Sequence, residues 1–182
     1  MKKFVFLDID DVLLPWDFKN IKEVIDHSGF TDWKKVKHPH MNYVSFDLLN
    51  ALWDSYQPDL YWLTTWELHM DGANALFCNR LGLDKLQEIP FIGDYYQMLG
   101  SSGWGGKASH SVWWKSSMVL RFLLGLEDDD FKILWIDNEI DDQIRNNNVD
   151  IELIDHPLIK TISPYPCLTK AQIEEGRLWL YG

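Results

Sequence analysis

The residues Phe4-Val5-Phe6-Leu7 form an unbroken apolar run that stops abruptly at Asp8-Ile9-Asp10-Asp11, and this junction restricts the fold more than any other stretch of the chain. Four consecutive apolar residues rich in β-formers suit a strand covered on both faces, as in a parallel sheet, whereas a half-exposed strand would alternate. Similar runs occur at Leu60-Tyr61-Trp62-Leu63, Ile89-Pro90-Phe91-Ile92, Ile133-Leu134-Trp135-Ile136 and Ile151-Glu152-Leu153-Ile154. Pro90 suits the third of these to a sheet edge. Between the runs the apolar spacing is that of helices. Ser45 caps one with Phe46, Leu49, Leu52, Trp53 and Tyr56 on one face before Pro58. A second extends from about Ser111 through Val112, Lys115, Val119, Phe122 and Leu123 to Gly125, and a third starts near Thr169 with Ile173, Leu178 and Leu180 as its apolar positions. Strands alternating with helices predict an α/β fold, a Rossmann-like doubly wound parallel sheet whose ligands gather beyond the carboxyl ends of the strands.

A chain of 182 residues supports one substantial core, so residues 1–182 are expected to form a single domain. Its less regular stretches, 16–42 and 101–110, read as a small flap or lid beside the site or as ordinary loops. A hydrophobic fraction of 46% with ten Trp residues excludes a disordered chain. A formal charge of -11 disfavours a broad nucleic-acid-binding surface and contact with anionic membranes. Lys34, Lys35, Lys37, His38 and His40 make a local basic stretch, either a solvated loop or a meeting point for an anionic substrate. Cys78 and Cys167 match neither a zinc spacing nor a disulfide framework, and the N-terminal apolar run is too short for a signal-peptide core, so a cytoplasmic protein is expected. These patterns leave oligomeric state open.

Three carboxylates within four residues at the mouth of an apolar strand are costly unless a cation compensates them. Magnesium does so while keeping positions for water and a substrate phosphate; the plainer reading is an acidic cluster capping a helix. Two further strand ends also carry oxygen-rich groups, Thr64-Thr65 and Asp137-Asn138-Glu139, with Asp141 and Asp142 just beyond. Phosphoryl transfer through an aspartyl-phosphate needs a carboxylate nucleophile, an acid/base group, a metal and donors for the equatorial oxygens. On this reading Asp8 attacks phosphorus, Asp10 protonates the leaving oxygen and later activates water, and Thr64 donates its hydroxyl to the transferring group. Lys115 neutralises the phosphate and the nucleophile together. Thr65 competes with Thr64 for the phosphate. Lys107, in Gly103-Trp104-Gly105-Gly106-Lys107, competes with Lys115, although the glycines lack the full phosphate-loop signature.

Phe6-Leu7-Asp8-Ile9-Asp10-Asp11-Val12-Leu13 resembles the first motif of the haloacid dehalogenase (HAD) superfamily, an apolar strand followed by D-x-D-x-[TV]-[LIV]. Tyr61-Trp62-Leu63-Thr64 is similar to the second motif, Lys115 to the third, and Ile136-Asp137 with Asp141 to the fourth, in the same chain order. The resemblance implies a HAD-like fold with Asp8 as nucleophile and Asp10 as acid/base. It also implies magnesium held by Asp8, the backbone carbonyl of Asp10 and Asp137. Asn138 stands where many members have a second acid, which passes that role to Asp141 or Asp142. Members that dehalogenate lack an acid two residues after the nucleophile, so Asp10 favours hydrolysis of phosphate esters. Trp62-Leu63-Thr64-Thr65-Trp66 and the fourth motif further resemble small bacterial hydrolase domains, some of them phosphatase modules associated with RNA repair; the substrate does not carry over.

The expected function is therefore a magnesium-dependent phosphatase acting on a phosphate monoester. The segments between the motifs are short for a large cap, and a small or absent cap implies an open site that admits a phosphorylated small molecule, a nucleotide or a nucleic-acid end. Trp16, Trp66, Trp104, Trp113 and Trp114 are either a stacking surface for a base or sugar, or anchors of core and loops. Two rivals remain. A phosphorylatable receiver-type domain uses similar groups but places its phosphoacceptor after a middle strand and its lysine after the last, whereas this chain runs Asp, Thr, Lys, Asp. A catalytically silent binding module has no need of Asp10 beside Asp8.

Overall fold

Lys2–Leu7 forms β1, the strand expected from the first apolar run. The structure, a computed structural model, describes residues 1–16, 18–38, 41–56, 59–64, 113–127 and 130–182. After β1 come α1 (Ile21–Ser28), β2 (Lys34–His38), β3 (Met41–Val44), α2 (Phe46–Tyr56) and β4 (Leu60–Trp62). The later elements are α3 (Trp114–Leu124), β5 (Phe131–Ile136), α4 (Ile140–Arg145), α5 (Ile151–Ile154), β6 (Ile159–Ile162) and α6 (Lys170–Tyr181). Four strands pair in parallel in the order β4-β1-β5-β6, and β2 and β3 form a separate antiparallel pair.

Because β1 is covered on both sides, its alternate residues enter two cores. Val5 and Leu7 pack with Trp62, Leu134, Ile136 and Ile162 beneath α1, α2 and α6. Phe6 packs with Ile133 and Trp135 beneath α3, α4 and α5. The result is a mixed α/β fold, a parallel sheet flanked by helices on both faces, compatible with a Rossmann-like arrangement. The chain leaves β1 by α2 over one face toward β4, and leaves β5 by α4 and α5 over the other face toward β6. The adjacent strands β1 and β5 therefore flank a point where the winding reverses, and such a point opens a crevice at their carboxyl ends.

Capping follows the sequence closely. Ser45 Oγ accepts the N–H of Leu48 at the start of α2, and Thr169 forms a reciprocal box with Gln172 at the start of α6. Gly125 ends α3, whereas its N-cap is Trp113. Of the expected apolar positions of α6, Ile173 and Leu180 are buried but Leu178 is 55% exposed, because it lies off the face that meets the sheet. No helix among the described residues is long and apolar enough to cross a membrane.

Two expectations are corrected. Ile151–Ile154, read as a strand, is a short helix, since Asp150 accepts the N–H of Glu152 on its side chain and that of Leu153 on its carbonyl, starting a helical turn. The last strand is Ile159–Ile162 instead, registered on Ile133–Ile136. The stretch 16–42 is more regular than expected, holding α1 and most of the hairpin, with the basic run Lys34–His38 on β2. Asn20 caps α1, and Val24, Phe30 and Trp33 enter the core. The expected strand 89–92, the loop 101–110, Cys78, His40, Thr65 and Lys107 lie outside the described residues.

Gly176 sets how closely α6 approaches the sheet. A Cβ there would lie 2.5 Å from Tyr56 Oη and 2.6 Å from Leu134 Cδ2. Neither neighbour yields easily, because Tyr56 is fully buried and its hydroxyl donates to Ile173 O at 2.6 Å, while Leu134 is in the core. Gly176→Ala is expected to lower stability by about 1–3 kcal/mol despite alanine's better helix propensity, read as a lower denaturant midpoint with unchanged slope.

Candidate active site

Register places the acids. Leu7 pairs with Ile136, so the next residues, Asp8 and Asp137, emerge side by side where β1 and β5 end. The ladder continues into them: the Asp8 N–H donates to Ile136 O at 3.0 Å, and the Asp137 N–H to Ile162 O at 3.1 Å. On the other side of β1, Leu63 N–H donates to Leu7 O at 2.9 Å, which carries buried Thr64 to the same end of the sheet.

Lys115, in the first turn of α3, supplies the cation. Its Nζ donates to Asp8 Oδ2 and to Asp137 Oδ2, each at 2.7 Å, and Glu139 Oε2 lies 4.0 Å away. The start of α3 is fastened by Trp113 N–H to Asn148 O at 2.7 Å and by Asp150 N–H to Ser116 Oγ at 3.3 Å. Lys115 is 3% exposed, Asp8 5% and Asp137 0%, so three charged groups meet almost without water. Burial, the strongest influence on Lys115, pulls its proton affinity down, but Asp8 and Asp137 together outweigh it and hold the ammonium above the usual lysine range. Burial pushes the carboxyl of Asp137 up to about 7, against the opposing pull of Lys115. Two carboxylates sharing one ammonium leave one excess negative charge, which favours uptake of a proton or a further cation.

Beyond β1 the chain folds back tightly. The N–H groups of Leu13 and Leu14 donate to Ile9 O at 2.9 and 3.1 Å, and Asp11 N–H donates to Leu14 O at 2.9 Å, with Asp11 in the left-handed region at φ 51°. Ile9, Val12, Leu13 and Leu14 are buried, and Asp10 stands half-buried at the rim, its Oδ1 accepting Trp16 Nε1–H at 3.2 Å.

The structure thus brings Asp8, Lys115 and Asp137 together, with Thr64 and Asp10 at the same end of the sheet. Asp141 is exposed in the first turn of α4, where its N–H donates to Ser163 Oγ at 3.4 Å, and it does not meet Lys115. Glu139, half-exposed and given no role from sequence, is the further acid that approaches the lysine, and its N–H donates to Asp137 Oδ1 at 3.0 Å. Its position two residues after Asp137, across the turn into α4, was the available signal. Trp113 and Trp114 place their rings 5.4 and 5.7 Å from the Lys115 ammonium, and Trp113 stacks on Trp135, so Trp113 serves as a core anchor. Among the described residues no group of three or more His, Cys, Asp or Glu side chains forms a ready metal cage. The carboxylate oxygens of Asp8, Asp137 and Glu139 around Lys115, with their excess negative charge, suit a hard divalent cation. Comparison of the chain with family models, curated proteins and solved structures finds no match.

Proposed function

We propose that this chain is a magnesium-dependent phosphatase of HAD-like type, hydrolysing a phosphate monoester through an aspartyl-phosphate on Asp8. The observation that carries the reading is the buried Lys115 ammonium, 2.7 Å from both Asp8 and Asp137 at the ends of adjacent parallel strands. A structural core gains little from two acids around one lysine, since desolvation offsets the attraction. A site built for a dianionic phosphate uses that ammonium to hold nucleophile and substrate together. The chain order of Asp8, Thr64, Lys115 and Asp137 and the motif resemblance support the same reading.

Asp8, the carbonyl of Asp10 and Asp137 are the residues that would hold magnesium, with Glu139 and Asp141 as outer acids; bound there, it screens the nucleophile from the phosphate oxygens. A carboxylate oxygen of Asp8 attacks phosphorus while the ester oxygen departs with the proton of Asp10. Asp10, now ionised, takes a proton from water as the water oxygen attacks phosphorus; the bond to Asp8 breaks and inorganic phosphate leaves. Thr64 donates its hydroxyl to an equatorial oxygen, and Lys115 balances the charge throughout. The substrate classes that suit an open site are a phosphorylated small molecule, a nucleotide or a nucleic-acid end.

The test is release of inorganic phosphate from a panel of phosphomonoesters with magnesium and with EDTA. Release is expected with magnesium and its loss with EDTA. A panel giving no magnesium-dependent release leaves the silent binding module as the better reading.

A further inference from the structure

Trp16 reaches both acids that follow Ile9 in the turn after β1. Its indole Nε1–H donates to Asp10 Oδ1 at 3.2 Å, and its backbone N–H donates to Asp11 Oδ1 at 3.0 Å. The backbone beneath Asp10 is already fixed by the bonds to Ile9 O and by Leu168 N–H donating to Val12 O at 2.9 Å. A donor on one oxygen of the Asp10 carboxyl favours the rotamer that keeps that bond. Trp16 is 38% exposed, so it is not simply a filler of the core.

We infer that Trp16 is a positioning residue for Asp10, its indole N–H holding the carboxyl toward the leaving group. The inference rests on the phosphatase reading of Asp8 and Asp10. Trp16 acts through Asp10 and touches no reacting atom. A correctly aimed acid matters when the departing oxygen is a poor leaving group, so the substrate class that gains from this device is the phosphate ester of an aliphatic alcohol, such as a sugar or nucleoside hydroxyl. An activated phenolate departs without a proton at neutral pH.

The experiment compares kcat/KM for a hydroxyalkyl phosphate, glycerol phosphate, with that for 4-nitrophenyl phosphate, in wild type, Trp16→Phe and Trp16→His. This constant covers steps only through formation of the aspartyl-phosphate, so it reads the acid and not the later base. Trp16→Phe keeps an aromatic ring but loses the N–H, and is expected to lower the alkyl-to-aryl ratio about tenfold. Trp16→His keeps a ring N–H and should lower it less, and it serves as the second variant should Trp16→Phe fail to fold, as judged by circular dichroism. An unchanged ratio, or a loss shared equally by both esters, overturns the positioning role while leaving the phosphatase intact. A wild type that releases phosphate from neither ester and from no other member of the phosphomonoester panel overturns the phosphatase reading and this inference with it.

Discussion

Lys115→Met is expected to lower the stability of the fold by about 3–5 kcal/mol, a drop in Tm on the order of 10 °C for a chain of this size. Methionine fills much of the same space, so the loss does not come from a cavity. It comes from leaving Asp8 and Asp137 buried and facing each other without the ammonium that now lies 2.7 Å from each. The sign of the pH dependence follows. Burial already lifts Asp137 to about 7, and removing the cation raises it further above its unfolded value. The penalty is therefore largest above that folded pKa and shrinks as pH falls through it, because a protonated Asp137 no longer repels Asp8. Thermal unfolding of wild type and variant across the range from pH 5 to about pH 8 checks this. A variant as stable as wild type at the alkaline end would mean the lysine does not compensate the acids.

Asp8→Asn is expected to move activity and stability in opposite directions. An amide is no nucleophile toward phosphorus, so magnesium-dependent turnover should fall by at least about a thousandfold. The same change removes one of two carboxylates competing for Lys115 and leaves a neutral Lys115–Asp137 pair, so Tm should hold or rise. Residual turnover near a tenth of wild type in a folded variant rules out Asp8 as the nucleophile. A sharp loss of stability instead would show that Asp8 holds the fold together.

How far such features are visible in one dimension depends on what fixes them. β1 was legible because an apolar run that meets acids without a transition fits little besides the end of a buried strand, and α2 and α6 because Ser45 and Thr169 mark their starts with local chemistry. Ile151–Ile154 was misread because a short apolar run has no period of its own, and the decisive bonds come from Asp150, just outside it. β6 was missed because Lys160 and Thr161 interrupt its apolar pattern; its strand conformation comes from pairing with β5. In the site, Lys115 beside Asp8 was expected from the chemistry a carboxylate nucleophile needs and from the motif resemblance, not from a local pattern. Lys115 meets Asp8 and Asp137 only because α3 and the two strands dock, and no spacing along the chain encodes that. Glu139 on Asp137 and Trp16 on Asp10 arise from the local turns.

The bond from Leu168 to Val12 brings a late part of the polypeptide back beneath an early one. During synthesis the acidic turn leaves the ribosome long before its neighbour Asp137 and its brace at Leu168 have been made. The site is thus completed only once Leu168 has followed, and a nascent chain carries its charges long before it can gather them.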